Sequence, residues 1–221
     1  TIPTLSAGVP LAVANTPQGT STTPLRRELL GWMAQICHGL GWIHGEGVVH
    51  CDLKPSNILI SQHKRAVLVD FGIASQKSNR LSPRALLTAG SIDGTALYMA
   101  PERIAQRPFD ARADLYALGC ILYEILAGRP PFLGPDVHSV LDQHLDAQPP
   151  PLSSWGASAP KALEDVVMGL LHKRPHDRPG HAHIALGALR AAGVEANLEA
   201  PLPPARPYLY TPSMAGREAV V

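Results

Sequence analysis

The stretch "VVHCDLKPSNILI" (Val48 to Ile60) sets His50, Asp52, Lys54, Ser56 and Asn57 between two runs of apolar residues. In a segment that otherwise reads as core, such a polar cluster costs free energy unless each member has a partner or a task. Asp52, Lys54 two residues on and Asn57 five residues on share one loop. A carboxylate, an ammonium and an amide held this close suit phosphoryl transfer: the first orients a hydroxyl, the second meets phosphate charge and the third ligates magnesium.

Outward from this loop the chain is patterned on both sides. Upstream, Leu29, Met33, Ile36, Leu40 and Ile43 recur at alternating four- and three-residue spacings, one face of an amphipathic helix that Gly45 and Gly47 stop. Downstream, "NILI" (Asn57 to Ile60) and "AVLVD" (Ala66 to Asp70) are β-prone pieces separated by a polar turn. A helix is expected over Ala113 to Ala127, where Leu115, Leu118, Ile121, Leu122, Ile125 and Leu126 make a broad apolar surface. "GRPPF" (Gly128 to Phe132) ends it, because proline cannot continue a helix. Further helices are expected near Ala159 to His172 and Ala182 to Ala192. Residues 1–25 carry no charge and read as a loop with a short strand at "VPLAVA" (Val9 to Ala14), and proline-rich linker returns from Ala196.

A chain of 221 residues makes one ordinary domain or part of a larger one, and 45% apolar against 17% charged residues excludes wholesale disorder. The net charge of +1 gives no nucleic-acid or membrane-surface footprint. Cys37, Cys51 and Cys120 lie far apart without CxxC spacing, which argues against a disulfide framework or a zinc site and for a reducing cytoplasm. No run approaches the roughly 18 apolar residues of a membrane span, and the N-terminus lacks the plan of a signal peptide. A start at Thr1 rather than Met is expected of a fragment.

Two more motifs carry chemistry. "DFG" (Asp70 to Gly72) ends an apolar strand and brings a second carboxylate suited to magnesium, a hard ion that prefers oxygen ligands. "GTALYMAPE" (Gly94 to Glu102) follows some two dozen residues later. In this order and spacing the motifs resemble the catalytic core of the eukaryotic-like serine/threonine protein kinases. "DLYALGCILYEILAGRPPF" (Asp114 to Phe132) resembles that family's buried central helix, and "KRPHDRP" (Lys173 to Pro179) its late arginine motif.

The resemblance implies a protein-kinase-like α+β fold, of which this chain is the mainly helical C-lobe with a few short β-strands. Residues 1–24 would be linker or a remnant of the hinge, 25–195 the C-lobe, and 196–221 a Pro-rich linker leading to a downstream ATPase or sensor domain. It implies ATP and Mg2+ as cofactors, Ser/Thr-bearing protein substrates, no nucleic-acid partner, no membrane segment in this chain and a cytoplasmic location. Asp52 would accept or orient the substrate hydroxyl proton, Lys54 would steady the γ-phosphate, and Asn57 and Asp70 would hold magnesium. Thr95 would approach Asp52 and Lys54, and Leu59 would lie beneath the adenine ring. His50 and Phe71 would belong to the spine aligning the two lobes. Asp114 would hold the catalytic-loop backbone, and Glu102 would pair with Arg178.

Two departures stand out. Cys51 replaces the arginine that usually precedes the catalytic Asp and receives an activation-segment phosphate, so control through Ser82, Thr88 or Ser91 is not expected. No lysine precedes Lys54, no GxGxxG occurs upstream, and Glu28 and Glu46 are the only glutamates before Asp52. The family's small lobe is therefore expected to be missing here. Two alternatives stay open: a pseudokinase or scaffold module, which Cys51 permits, and a kinase-like enzyme for a small molecule, which "GTALYMAPE" disfavours. Simpler readings serve elsewhere. Cys51 is a small packed side chain, and His172, His176, His181 and His183 are solvated rather than metal ligands. Lys77, Arg80 and Arg84 are solvated loop charge, and Trp32 and Trp42 cover the core.

Overall fold

Pro24 opens a 22-residue helix, α1 (Pro24–Gly45), where its fixed φ suits the first turn and its missing N–H costs nothing. The computed structural model describes residues 9–10, 24–71 and 94–195. Leu29, Met33, Ile36 and Leu40 are buried as their spacing predicts, and Ile43 packs half-buried against the same core. Gly47 takes φ 75° just past the helix, the left-handed geometry glycine adopts without strain.

Three short strands follow the order β1–β2–β3, all antiparallel: β1 (Val9–Pro10), β2 (Ile58–Ile60) and β3 (Ala66–Leu68). Of the strand expected over Val9 to Ala14, residues 11–14 lie outside the described residues. β2 faces β3 with Ile58 opposite Leu68, and the Ala66 amide donates to Gln35 Oε1 at 3.0 Å, which ties the hairpin to α1. β3 is shorter than "AVLVD" because Asp70 turns to φ 56° and leaves the pleat.

The helical body contains α2 (Pro101–Ile104), α3 (Arg112–Ala127), α4 (Val137–Asp146), α5 (Lys161–Leu170) and α6 (Ala182–Ala191). α3 is buried on every side from Ala113 to Ala127, so it is a central rod rather than an amphipathic surface helix. α1 and α5 pack on it, and α6 closes the group by packing on both α1 and α5. At Gly119 a methyl group would stand 2.8 Å from Leu170 Cβ, and this hydrogen-only position admits α5. α3 stops where Gly128 adopts φ 74° and its amide bonds Glu124 O at 2.8 Å.

Two features differ from expectation. Trp42 is 51% exposed, because it points off the face of α1 that Leu40 buries; Trp32 does lean on the core. α4 was not foreseen. Its start is written as Asp136 accepting the Ser139 amide at 2.8 Å. Its inner face is Val137, Val140, Leu141 and His144, and the histidine hides the apolar period.

His144 is fully buried, with Nδ1 2.8 Å from Tyr116 Oη and its ring edge-on to Phe132 at 4.9 Å. Burial, reinforced by the Lys173 charge, pushes it down to about 3. The folded ring stays neutral while the unfolded ring takes a proton below about pH 6.5, so stability falls as pH drops through that window. This one group should remove roughly 2–3 kcal/mol between pH 7 and pH 4.5. Urea unfolding at the two pH values checks it: His144→Gln should lose markedly less than wild type over the same interval.

Candidate active site

The loop after α1 is held from beneath by Asp114, in the first turn of α3. Asp114 accepts the His50 amide at 2.7 Å and the Cys51 amide at 2.9 Å, and His44 Nε2 lies 2.9 Å from the same carboxylate. Burial alone would raise this carboxyl; the His44 ring and the two amides outweigh it and hold it below the usual carboxylate range.

His50 is fixed in one tautomer. Its Nδ1 accepts the Asp52 amide at 3.3 Å, so Nε2 carries the proton and donates to Val69 O at 3.0 Å. The ring lies 4.7 Å from that of Phe71. The loop is thus tied to the end of the β-hairpin, where the Val69 amide also bonds Asn57 O at 3.0 Å.

On this frame the polar side chains converge. Asn57 Nδ2 donates to Asp52 O at 2.8 Å and to Asp52 Oδ2 at 3.0 Å, which turns its Oδ1 away from Asp52. Lys54 Nζ lies 3.0 Å from Asp52 Oδ2 and donates to Thr95 Oγ1 at 2.6 Å. Thr95 comes from the 3-10 turn Gly94–Tyr98, which Tyr98 anchors by donating to Glu124 Oε2 of α3 at 2.6 Å. Asp52, Lys54, Asn57 and Thr95 therefore form one bonded group, with Asp52 and Lys54 partly open to solvent. Asp70 is exposed one residue beyond Val69, at the hairpin end that Asn57 also occupies, and Leu59 is half-buried on β2. Cys51 and Asp70 both have left-handed φ, 69° and 56°, a conformation non-glycine residues take rarely and one that Lys64 and Gln106 share elsewhere among the described residues.

Cys51 is buried, its thiol donates weakly to Val49 O, and burial with the Asp114 charge pushes it up to about 12. It is a packed thiol rather than a reactive one. Gly72, Lys77, Arg80, Ser82, Arg84, Thr88 and Ser91 lie outside the described residues. His172 and His176 are exposed, and His181 and His183 are half-buried.

Glu102 and Arg178 form the expected pair beneath the site: two parallel bonds of 2.7 Å, with both side chains buried. Arg178 also donates to the carbonyls of Arg112, His172 and Lys173. Sequence reasoning missed His44 and Arg103, whose guanidinium donates to the Cys51 carbonyl. Their partners are 70 and 52 residues away, and no local spacing marks them.

The chain is 38% identical over 152 residues to the serine/threonine-protein kinase PknB of Mycolicibacterium smegmatis, covering 69% of this chain and 24% of that protein. It is 40% identical over 160 residues to the serine/threonine-protein kinase PknH of Mycobacterium bovis, covering 72% and 26%. A probable serine/threonine-protein kinase of Corynebacterium efficiens is 38% identical over 150 residues, covering 66% and 22%. The chain thus spans about a quarter of the length of the curated relatives it matches. Among the described residues no helix is long and apolar enough to cross a membrane. The family model for the protein kinase domain matches residues 17–187, most of the chain and all of the bonded group around Asp52, and this chain belongs to the protein kinase domain family.

Proposed function

We propose that this chain supplies the phosphotransfer loop of a serine/threonine protein kinase, which moves the γ-phosphate of ATP to Ser or Thr hydroxyls of protein substrates. The observation that carries the reading is the bonded group of Asp52, Lys54, Asn57 and Thr95 on a frame fixed by Asp114. Asp52 takes the proton as the substrate oxygen bonds to phosphorus and the bond to ADP breaks. Lys54, beside Asp52, neutralises charge on the transferred phosphoryl group, and Thr95 holds Lys54 in place. Leu59 supplies an apolar floor for the adenine.

The donor set fits Mg2+: the exposed Asp70 carboxylate and the Asn57 Oδ1, which faces away from Asp52, are hard oxygen ligands. Magnesium bound there would screen the phosphate charges during transfer. Residues 1–24 serve as linker or hinge remnant and 25–195 as the C-lobe; 196–221 form a linker to an ATPase or sensor domain. The protein works in the cytoplasm, and nucleic acid is not a partner.

Phosphoamino-acid identification tests the substrate class. The full-length protein, given magnesium, γ-labelled ATP and a peptide carrying Ser, Thr and Tyr, should label Ser and Thr and leave Tyr unlabelled. Labelled Tyr, or label that persists in EDTA, would contradict the reading.

A further inference from the structure

The geometry points to Arg103 as a positioning residue of the phosphotransfer loop: it holds the Cys51 carbonyl and thereby the direction in which Asp52 faces. The inference rests on the reading of Asp52 as the group that receives the substrate proton. Cys51 sits immediately before Asp52 with φ 69°, a backbone state that persists only where its surroundings impose it. Two charged groups impose it from opposite ends. Asp114 Oδ1 takes the Cys51 amide at 2.9 Å, and the Arg103 guanidinium donates to the Cys51 carbonyl. That carbonyl belongs to the peptide that carries the Asp52 amide, so holding it fixes the Asp52 N–Cα bond about which the side chain is set.

The side chain of residue 51 does none of this. Its thiol reaches back to Val49 O, and the loop's own sequence offers no cation at position 51. Arg103 supplies one from another element. It lies in α2, a four-residue helix too short to be stable alone. α2 is anchored at the preceding residue, Glu102, by the buried bidentate pair with Arg178. The half-buried Arg103 guanidinium also lies over the Phe109 ring, 5.6 Å from its centroid, which restricts where it can point. A continuous chain of contacts therefore runs from Arg178 through Glu102 and Arg103 to the peptide beside Asp52.

The test compares Arg103→Met, Arg103→Lys and Asp52→Asn with wild type in the full-length protein, measuring kcat, KM for ATP and Tm. Arg103→Met keeps the apolar stem of the side chain and removes its donors. It should lower kcat by about 10²-fold, the scale of a 1 Å misplacement, with KM for ATP within about threefold and Tm nearly unchanged. Arg103→Lys, which keeps one donor, should recover part of that loss. In an Asp52→Asn background, Arg103→Met should add little, because both act on one group. An unchanged kcat in Arg103→Met, or a full extra loss on top of Asp52→Asn, overturns the proposal. If Arg103→Met does not fold, Arg103→Lys decides: a lower kcat at wild-type Tm supports it and an unchanged kcat overturns it. A wild-type rate no higher than that of Asp52→Asn refutes the underlying reading, and the proposal with it. A normal Asp52 effect with an indifferent Arg103 refutes the proposal alone.

Discussion

Asp70→Asn should lower the phosphotransfer rate of the full-length protein by about 10²–10³-fold while leaving its Tm almost where it was. The substitution removes one charge and keeps the shape. Asp70 is exposed, where substitutions usually change stability by less than about 0.5 kcal/mol. Its φ of 56° is one that Asn tolerates as well as Asp, so the backbone is not strained further. The deficit should appear as a raised magnesium requirement as well as a lower maximal rate, because one of two proposed metal ligands is weakened. A magnesium titration of initial rates separates the two effects. A mutant with wild-type rate and magnesium dependence would show that Asp70 does not hold the magnesium used in transfer.

Arg178→Ala carries the largest expected effect on stability. Its guanidinium is buried, makes two bonds to Glu102 and donates to three backbone carbonyls. Removing it strands a buried carboxylate as well as those carbonyls. Breaking such a pair from one side costs roughly 3–5 kcal/mol. For a domain of this size that is a fall in Tm of about 10 °C. Arg178→Lys should not rescue it, because one ammonium cannot reproduce the planar fork. Thermal unfolding followed by circular dichroism reads both variants. A Tm within a degree or two of wild type in Arg178→Ala would show that the pair contributes no stability.

What could be read from sequence and what could not divide along the length scale of the interactions. α1 and α3 were legible because burial of one face or of a whole rod leaves a periodic record in Leu29, Met33, Ile36 and Leu40, and in Leu115 to Leu126. The two strands were legible as short apolar runs broken by a polar turn, to within two residues at their ends. α4 escaped because a buried His144, partnered at Nδ1 by Tyr116, occupies an apolar position. Asp52, Lys54, Asn57 and Asp70 could be singled out because their chemistry is compressed into one loop and one strand end. The resemblance, not any local pattern, joined Thr95 to Lys54 and Glu102 to Arg178 across 41 and 76 residues. His44 beneath Asp114 and Arg103 against the Cys51 carbonyl had neither signal. Their roles exist only in the folded chain.

Phosphoryl transfer by Asp52 and its bonded neighbours is open to direct kinetic test. The most direct measurement is single-turnover transfer from γ-labelled ATP to a serine peptide by the full-length protein, with Asp52→Asn in parallel under identical magnesium and ATP. Wild type should transfer readily and Asp52→Asn should be slower by at least about 10²-fold, at equal Tm. Equal transfer by the two proteins would contradict that role of Asp52.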